Sequence, residues 1–279
     1  MFHEDFVPPT SWKFRVMRLW QRWQFRSLGQ AAHLVFFSID PWVTRYSNWF
    51  PGKPAVHLPV GSNIPEPSLT REQARKAIGI GNHELVIGLF GSGHSATMLD
   101  RVAAAAQRIR ERGIDAMLLY VGTNGAAVRQ KVTALPVRDE GPLPPQQVSQ
   151  RLMAMDLYLS PFADGVSTRR GSLHAGLQHG LPIAGTCGPS TDQILRNEAD
   201  RSLLLAPVDS QQAFIDQVLR LATDAALRRR LGEAARQLCE REFTWARIAQ
   251  RMITAMQTVS TSPQADAAVS RNAVVLAAM

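Results

Sequence analysis

The chain has 279 residues, 45% hydrophobic and 19% charged, enough for one large or two medium cores and far too apolar for a disordered protein. Its 31 Lys and Arg against 23 Asp and Glu give a formal charge of +8, which favours anionic partners such as phosphates, nucleic acid or a membrane surface.

The first element is a helix over Trp12 to Leu28, where aromatic and aliphatic side chains interleave with Lys13, Arg15, Arg18, Arg22 and Arg26 at helical spacing. A strand over His33 to Ser38 follows, then a short helix opened by Asp40-Pro41, and a strand over Ala55 to Leu58. Pro59 to Pro67 is a stiff, proline-rich connector and marks a domain boundary. Thr70 caps the next helix, with Glu72 and Gln73 in its first turn. Beyond it, strands at Leu85 to Phe90, Ala116 to Val121, Leu157 to Ser160, Pro182 to Gly185 and Ser202 to Leu205 alternate with helices. The helices are expected at Ala96 to Arg112, Gly125 to Thr133, Gln146 to Ala154 and Gly171 to His179, and the remainder is helical to about Thr258. This alternation predicts an α/β protein with a doubly wound parallel sheet. A tail over 259–279, rich in Ala and Ser, is expected to be disordered.

Ligands of such sheets bind outside the carboxyl ends of the strands, and two loops there invite an anion. Gly91-Ser92-Gly93-His94-Ser95 lies between a buried strand and a long helix, so its backbone can approach a phosphate beside free helical N–H groups. Those glycines could equally serve only the tight turn. Pro161 to Leu173 holds Ser167, Thr168, Arg169, Arg170, Gly171 and Ser172, and two arginines can neutralise a diphosphate. Together the loops predict one ligand carrying a diphosphate. Gly91, Gly93 and Ala96 also fit a dinucleotide fingerprint, but the strand over Ala116 to Val121 ends in Gly122-Thr123-Asn124 without the acidic residue a ribose needs.

Other constellations are read as structural. His174 and His179 are five apart and do not share a helix face. Ser190-Thr191-Asp192 reads as a helix cap, and Arg228-Arg229-Arg230 as a solvated face. Cys187 and Cys239 form no CxxC pair, so neither a disulfide scaffold nor a structural zinc site is expected. No run nears the ~18 apolar residues of a membrane span, and the start lacks the regions of a signal peptide.

The run Asp164 to Thr186, DGVSTRRGSLHAGLQHGLPIAGT, resembles the nucleotide-binding half of a GT-B glycosyltransferase of the family 4 type. Leu58 to Pro65 resembles the interdomain linker, and Leu89 to His94, Gly141 to Ser149, Met155 to Phe162 and Phe243 to Ala249 also look like that family, in the right order. The resemblance implies a Rossmann-like C-terminal domain over 62–258 and a remnant of the N-terminal acceptor domain over 1–61. It implies transfer of a sugar from a nucleoside-diphosphate sugar to a hydroxyl of a saccharide, lipid-linked saccharide or small acceptor, with no metal and no cofactor besides that donor. Gly91, Ser92, Gly93 and His94, with Ser167 to Ser172, would hold the diphosphate. Asp164 and Gly165 would approach the sugar ring, Val137 to Leu143 would lie near the base, and His3 would touch the sugar or acceptor.

Three departures stand out. Many family 4 members carry two glutamates seven residues apart where this chain has Ser167 and Ala175. They also often have a basic residue soon after the first loop, whereas Arg101 lies well inside the helix and Arg169 and Arg170 would take over its duty. Only about 60 residues precede the linker, too few for a full acceptor domain, so a truncated N-terminal domain is expected. The alternative is a silent or split-enzyme donor-binding subunit needing a partner chain, or a homo-oligomer. The basic first helix could touch a membrane or an acidic partner, and it reads equally as a helix of a domain whose remainder is absent. No nucleic-acid module is present, and a cytoplasmic protein, peripheral at most to the inner membrane face, is expected.

Overall fold

The computed structural model describes residues 1, 2, 6, 10–92 and 96–260. The expected contact His3, Gly93 and His94 of the first loop, and the tail beyond residue 260 lie outside the described residues. The chain divides into two compact units, Met1–Pro59 with Ala246–Met279, and Val60–Trp245. The last helix thus groups with the first unit rather than with the expected range 62–258.

In the first unit, β1 (Val35–Phe37) and β2 (Ala55–His57) pair in parallel, with Val35 opposite Ala55. A two-stranded sheet buries little by itself, so aromatic rings build the core. Phe25 of α1 (Trp12–Ala31) lies 5.0 Å from Tyr46 of α2 (Asp40–Tyr46) and 5.3 Å from Phe50. Helix α1 runs three residues past its expected end, and β1 keeps only the centre of the expected strand.

The second unit carries six parallel strands among its described residues: β3 (Leu85–Phe90), β4 (Ala116–Val121), β5 (Val137–Asp139), β6 (Leu157–Ser160), β7 (Ile183–Cys187) and β8 (Leu204–Pro207). Their order is β5-β4-β3-β6-β7-β8, the doubly wound order whose direction reverses between β3 and β6. Side chains alternate between two cores, with Met117, Leu119 and Val121 on one face of β4 and Ala116, Leu118 and Tyr120 on the other. Helices α3 (Arg71–Ala77), α6 (Pro145–Ala154) and α7 (Gly171–Gln178) cover the first face. Helices α4 (Leu99–Glu111), α5 (Gly125–Lys131) and α9 (Gln211–Thr223) cover the second. The short α8 (Gln193–Asn197) follows β7, and α10 (Ala225–Glu242) adds Leu231 to one core and Leu238 to the other.

Several expectations need correction. Strand β5 had no prediction, because Val137-Arg138-Asp139 is too short and polar to announce itself. Strand β8 begins two residues late, after a tight turn in which Asp200 takes φ 60° and its N–H donates to Leu203. Arg228 is not merely solvated: its guanidinium donates to the carbonyls of Leu221 and Ala222 at the end of α9. Helix α11 (Trp245–Ser260) continues through Val259 and Ser260, which were expected to begin the disordered tail.

Asp156, immediately before β6, joins this sheet to its first helix. Its N–H donates to Val86 O (2.8 Å), and its Oδ2 accepts from Val86 N (2.7 Å). The same carboxylate takes Arg71 and the fully buried Arg75, each at 2.5 Å. Arg75 also donates to the carbonyls of Ala154, Gly81 and Glu84, so its enclosed charge is held by one carboxylate and three carbonyls. Replacing Asp156 by Ala strands that buried guanidinium, and urea unfolding should register a loss of about 3–5 kcal/mol.

His179, just past α7, is buried between Ser149 Oγ and Ala175 O, 2.8 Å from each. Burial outweighs the bond to Ala175 and pulls its pKa down to about 4 from 6.5. The unfolded chain therefore takes up a proton near pH 6.5 while the folded chain does not. This contribution is constant above pH 6.5 and is lost as pH falls toward 4, by about 3 kcal/mol in all. Unfolding free energies at pH 7.5 and pH 4.5 should differ less in His179→Gln than in the unmodified chain.

Candidate functional site

The strand order reverses between β3 and β6, so the connections leaving these parallel strands run to helices on opposite faces of the sheet, the point at which such sheets form a crevice at their carboxyl ends. Backbone hydrogen bonds join the two loops. Ala163 N donates to Ala96 O at 2.9 Å, Met98 N donates to Pro161 O at 2.8 Å, and Thr97 bridges to Phe162. This pairing explains a further correction: α4 starts at Leu99 rather than Ala96, because residues 96–98 are drawn into an extended contact. The helix N-terminus beside Gly91 is therefore that of α7. A Cβ built on Gly91 would lie 4.0 Å from Ser172, in the first turn of that helix.

Two tyrosines, on the two strands that flank β3, hold the end of β3 and the first loop. Tyr120 Oη donates to Gly91 O at 2.9 Å and accepts from Asn124 N at 3.0 Å. Tyr158 Oη donates to Phe90 O at 3.2 Å and is also hydrogen-bonded by Ser172. Burial raises both phenols, so both stay neutral donors. With the Gly91 carbonyl turned to Tyr120, the planar trans peptide directs the N–H of Ser92 the opposite way. Gly122 permits the close approach, since a Cβ there would fall 1.9 Å from Gly91 O.

The second loop is organised by two carboxylates. Asp164 pairs with Arg169 at 2.7 Å and with Arg170 at 2.5 Å. Burial alone would raise its pKa, but Arg170 and Arg169 prevail and hold it below the usual carboxylate range. The Arg170 guanidinium also lies 3.7 Å over the Phe162 ring. Asp192, the N-cap residue of α8, aims its carboxylate at Thr168 N (2.6 Å) instead of closing a side-chain cap. Gly165, at φ 90°, lets the chain pass Thr191, whose Oγ1 would sit 2.3 Å from a Cβ.

Of the expected site residues, the structure brings together Gly91, Ser92, Asp164, Arg169, Arg170, Gly171 and Ser172 on these adjoining loops. Ser167 and Thr168 are enclosed, and Ala175 is buried in the core. The position that carries a glutamate in many family 4 members therefore offers no polar contact here. Arg101 is buried and spends its guanidinium on the carbonyls of Pro207, Val208 and Ser210. His174 contacts Thr168 O at 2.9 Å and packs edge-on against Phe243, a structural role as expected. In the stretch expected near the base, Glu140 is held by Arg138 and Arg151. A cleft of about 600 Å³ lies elsewhere in this unit, lined by Asn63, Pro145, Gln178, Phe243 and Trp245.

Sequence reasoning missed Tyr120, Tyr158 and Asp192. A tyrosine inside an apolar strand looks like core, and nothing local reveals what its hydroxyl meets.

No family model matches the chain, and no curated protein matches it in sequence. Solved structures do. A sucrose-phosphate synthase from Thermosynechococcus elongatus superposes with a TM-score of 0.71 at 16% identity, over 90% of this chain and 64% of that one. WaaG, a glycosyltransferase involved in lipopolysaccharide biosynthesis, gives 0.69 at 17%, over 91% and 71%. Anabaena HepE, solved with UDP and glucose, gives 0.68 at 15%, over 94% and 70%. The chain has the Rossmann-like fold of GT-B glycosyltransferases. It spans less than two thirds of the synthase, so the GT-B likeness describes architecture over that share of the molecule.

Tyr120→Phe should leave Gly91 O and Asn124 N without their shared partner and lower unfolding free energy by about 1–3 kcal/mol, measured by urea titration.

Proposed function

We propose that this chain binds a nucleoside-diphosphate sugar in the β3/β6 crevice and transfers the sugar to a hydroxyl of a saccharide, lipid-linked saccharide or small acceptor. The observation that carries the reading is the junction of the two loops, with Gly91 facing Ser172 at the start of α7 and the Asp164–Arg169–Arg170 cluster on the adjoining loop. The order of motifs typical of family 4 enzymes supports the donor assignment, and the likeness to HepE, solved with UDP and glucose, supports it further.

In the reaction, the bond from the anomeric carbon to the β-phosphate oxygen breaks and its electron pair stays on the diphosphate. The acceptor hydroxyl oxygen forms the new bond, and its proton passes to the departing diphosphate or to solvent. Charge therefore grows on the leaving nucleoside diphosphate, where the first N–H groups of α7 and the two guanidiniums would receive it. Asp164 presets both guanidiniums, which reduces the ordering cost of binding. The cluster carries net +1 from two cations and one anion, so a diphosphate adds a favourable charge. This reading requires no metal ion. The serine and alanine in place of the glutamate pair make it a subtype built on Ser167 to Ser172.

The test is a thermal melt with UDP, GDP, ADP, dTDP or NAD. A ligand at ~100 times its dissociation constant adds ~2.7 kcal/mol, so one nucleoside diphosphate should raise the midpoint and NAD should not. Replacing Arg169 and Arg170 together by Ala should weaken that ligand by more than about 100-fold, at ~1.5–3 kcal/mol per charged hydrogen bond. Unchanged affinity in the double variant would sink the assignment.

A further inference from the structure

Helix α1 carries a surface that the donor reading leaves unused. Trp12, Val16, Leu19, Trp20 and Trp23 recur at i, i+4, i+7, i+8 and i+11, which places them in one stripe along the helix. All five are exposed, Trp12 by 71%, Leu19 by 67% and Trp23 by 61%. Isolated exposed apolar residues are ordinary, but a continuous stripe of this kind marks an interaction face. Trp20 and Trp23 stack with ring centres 5.1 Å apart, which makes a rigid aromatic ridge.

Charge decides what that ridge meets. Arg15, Arg18, Arg22 and Arg26 run along one edge of the stripe and Lys13 flanks the other, while the helix holds no acidic residue. Among the described residues, no carboxylate pairs with any of the five. Arg22 instead lies 5.0 Å over the Trp49 ring. The arginines of the second unit are treated differently, since Arg71, Arg75, Arg151, Arg169 and Arg170 all hold carboxylates. A protein cover over the stripe would have to match these five cations at its margins. A bilayer with anionic headgroups matches them without any specific partner. It also accepts tryptophan at the depth where one end of a side chain is apolar and the other wet.

We infer that α1 is a peripheral anchor that lies in the plane of an anionic membrane. The ridge from Trp12 to Trp23 enters the headgroup–acyl boundary, and the flanking Arg and Lys pair with lipid phosphates. No helix among the described residues is long and apolar enough to cross a membrane, so the contact is along the surface. The inference is independent of what the β3/β6 crevice binds.

The test is co-sedimentation of the full chain with vesicles of phosphatidylcholine alone or mixed with phosphatidylglycerol, together with tryptophan emission. Partition should require phosphatidylglycerol, fall as salt rises, and shift the emission to the blue. Arg15→Ala with Arg26→Ala should weaken partition about 30-fold, at about 5-fold per charge near the surface. Trp20→Ala with Trp23→Ala should weaken it at least ~10-fold at low salt by removing inserted area, with far-UV circular dichroism unchanged. Absence of partition by the folded chain would overturn the proposal, as would partition that ignores the tryptophans. So would a concentration-dependent dimer broken by the same tryptophan variant, because a second copy would then be what covers the ridge.

Discussion

The junction at the carboxyl ends of β3 and β6 exists because β6 is held beside β3, and Asp156 is the residue that holds it there. Its main chain and carboxylate close two hydrogen bonds on Val86, one to its carbonyl and one from its N–H. That pairing sets the strand register, with Ile87 opposite Leu157 and Gly88 opposite Tyr158. The carboxylate is buried with two guanidiniums, and Arg75 reaches three further carbonyls around the start of β3. A one-residue slip would turn every side chain of β6 to the opposite face, and Tyr158 would no longer meet the Phe90 carbonyl.

From that register the site follows by short steps. Tyr120 and Tyr158 stand on the two neighbours of β3, one on each side sheet face, and their hydroxyls take successive carbonyls at its end. The loop beyond is thereby oriented before any ligand arrives. The second loop gains its order from Asp164 and Asp192, one gathering guanidiniums and the other holding the Thr168 N–H. For the donor proposed above, such preorganisation would lower the cost of binding and of stabilising the charge that develops on the leaving group.

The two units treat positive charge in opposite ways. In the second unit the charges nearly balance, and arginines such as Arg75, Arg101 and Arg170 brace carbonyl groups and carboxylates. In α1 the cations stand beside exposed tryptophans with no acidic neighbour on the helix. Most of the formal charge of +8 therefore lies outside Val60–Trp245.

By itself, the sequence determined the elements and their order. Apolar runs bounded by turn residues located β3, β4 and β6 to the residue, and Thr70 announced the N-cap of α3, where the structure adds a reciprocal bond from Gln73. These signals are local, carried by spacing and by side chains within one turn. The two loops at strand ends were legible for the same reason, because a parallel sheet presents its carboxyl ends together. Tertiary structure alone decided which groups meet. Helix α4 starts late because residues 96–98 bond to 161–163; Ser167 and Thr168 are enclosed; Asp156 and Arg75 converge from 81 positions apart. Those outcomes depend on contacts between segments distant in sequence, and no local pattern encodes the partner of a buried hydroxyl or guanidinium.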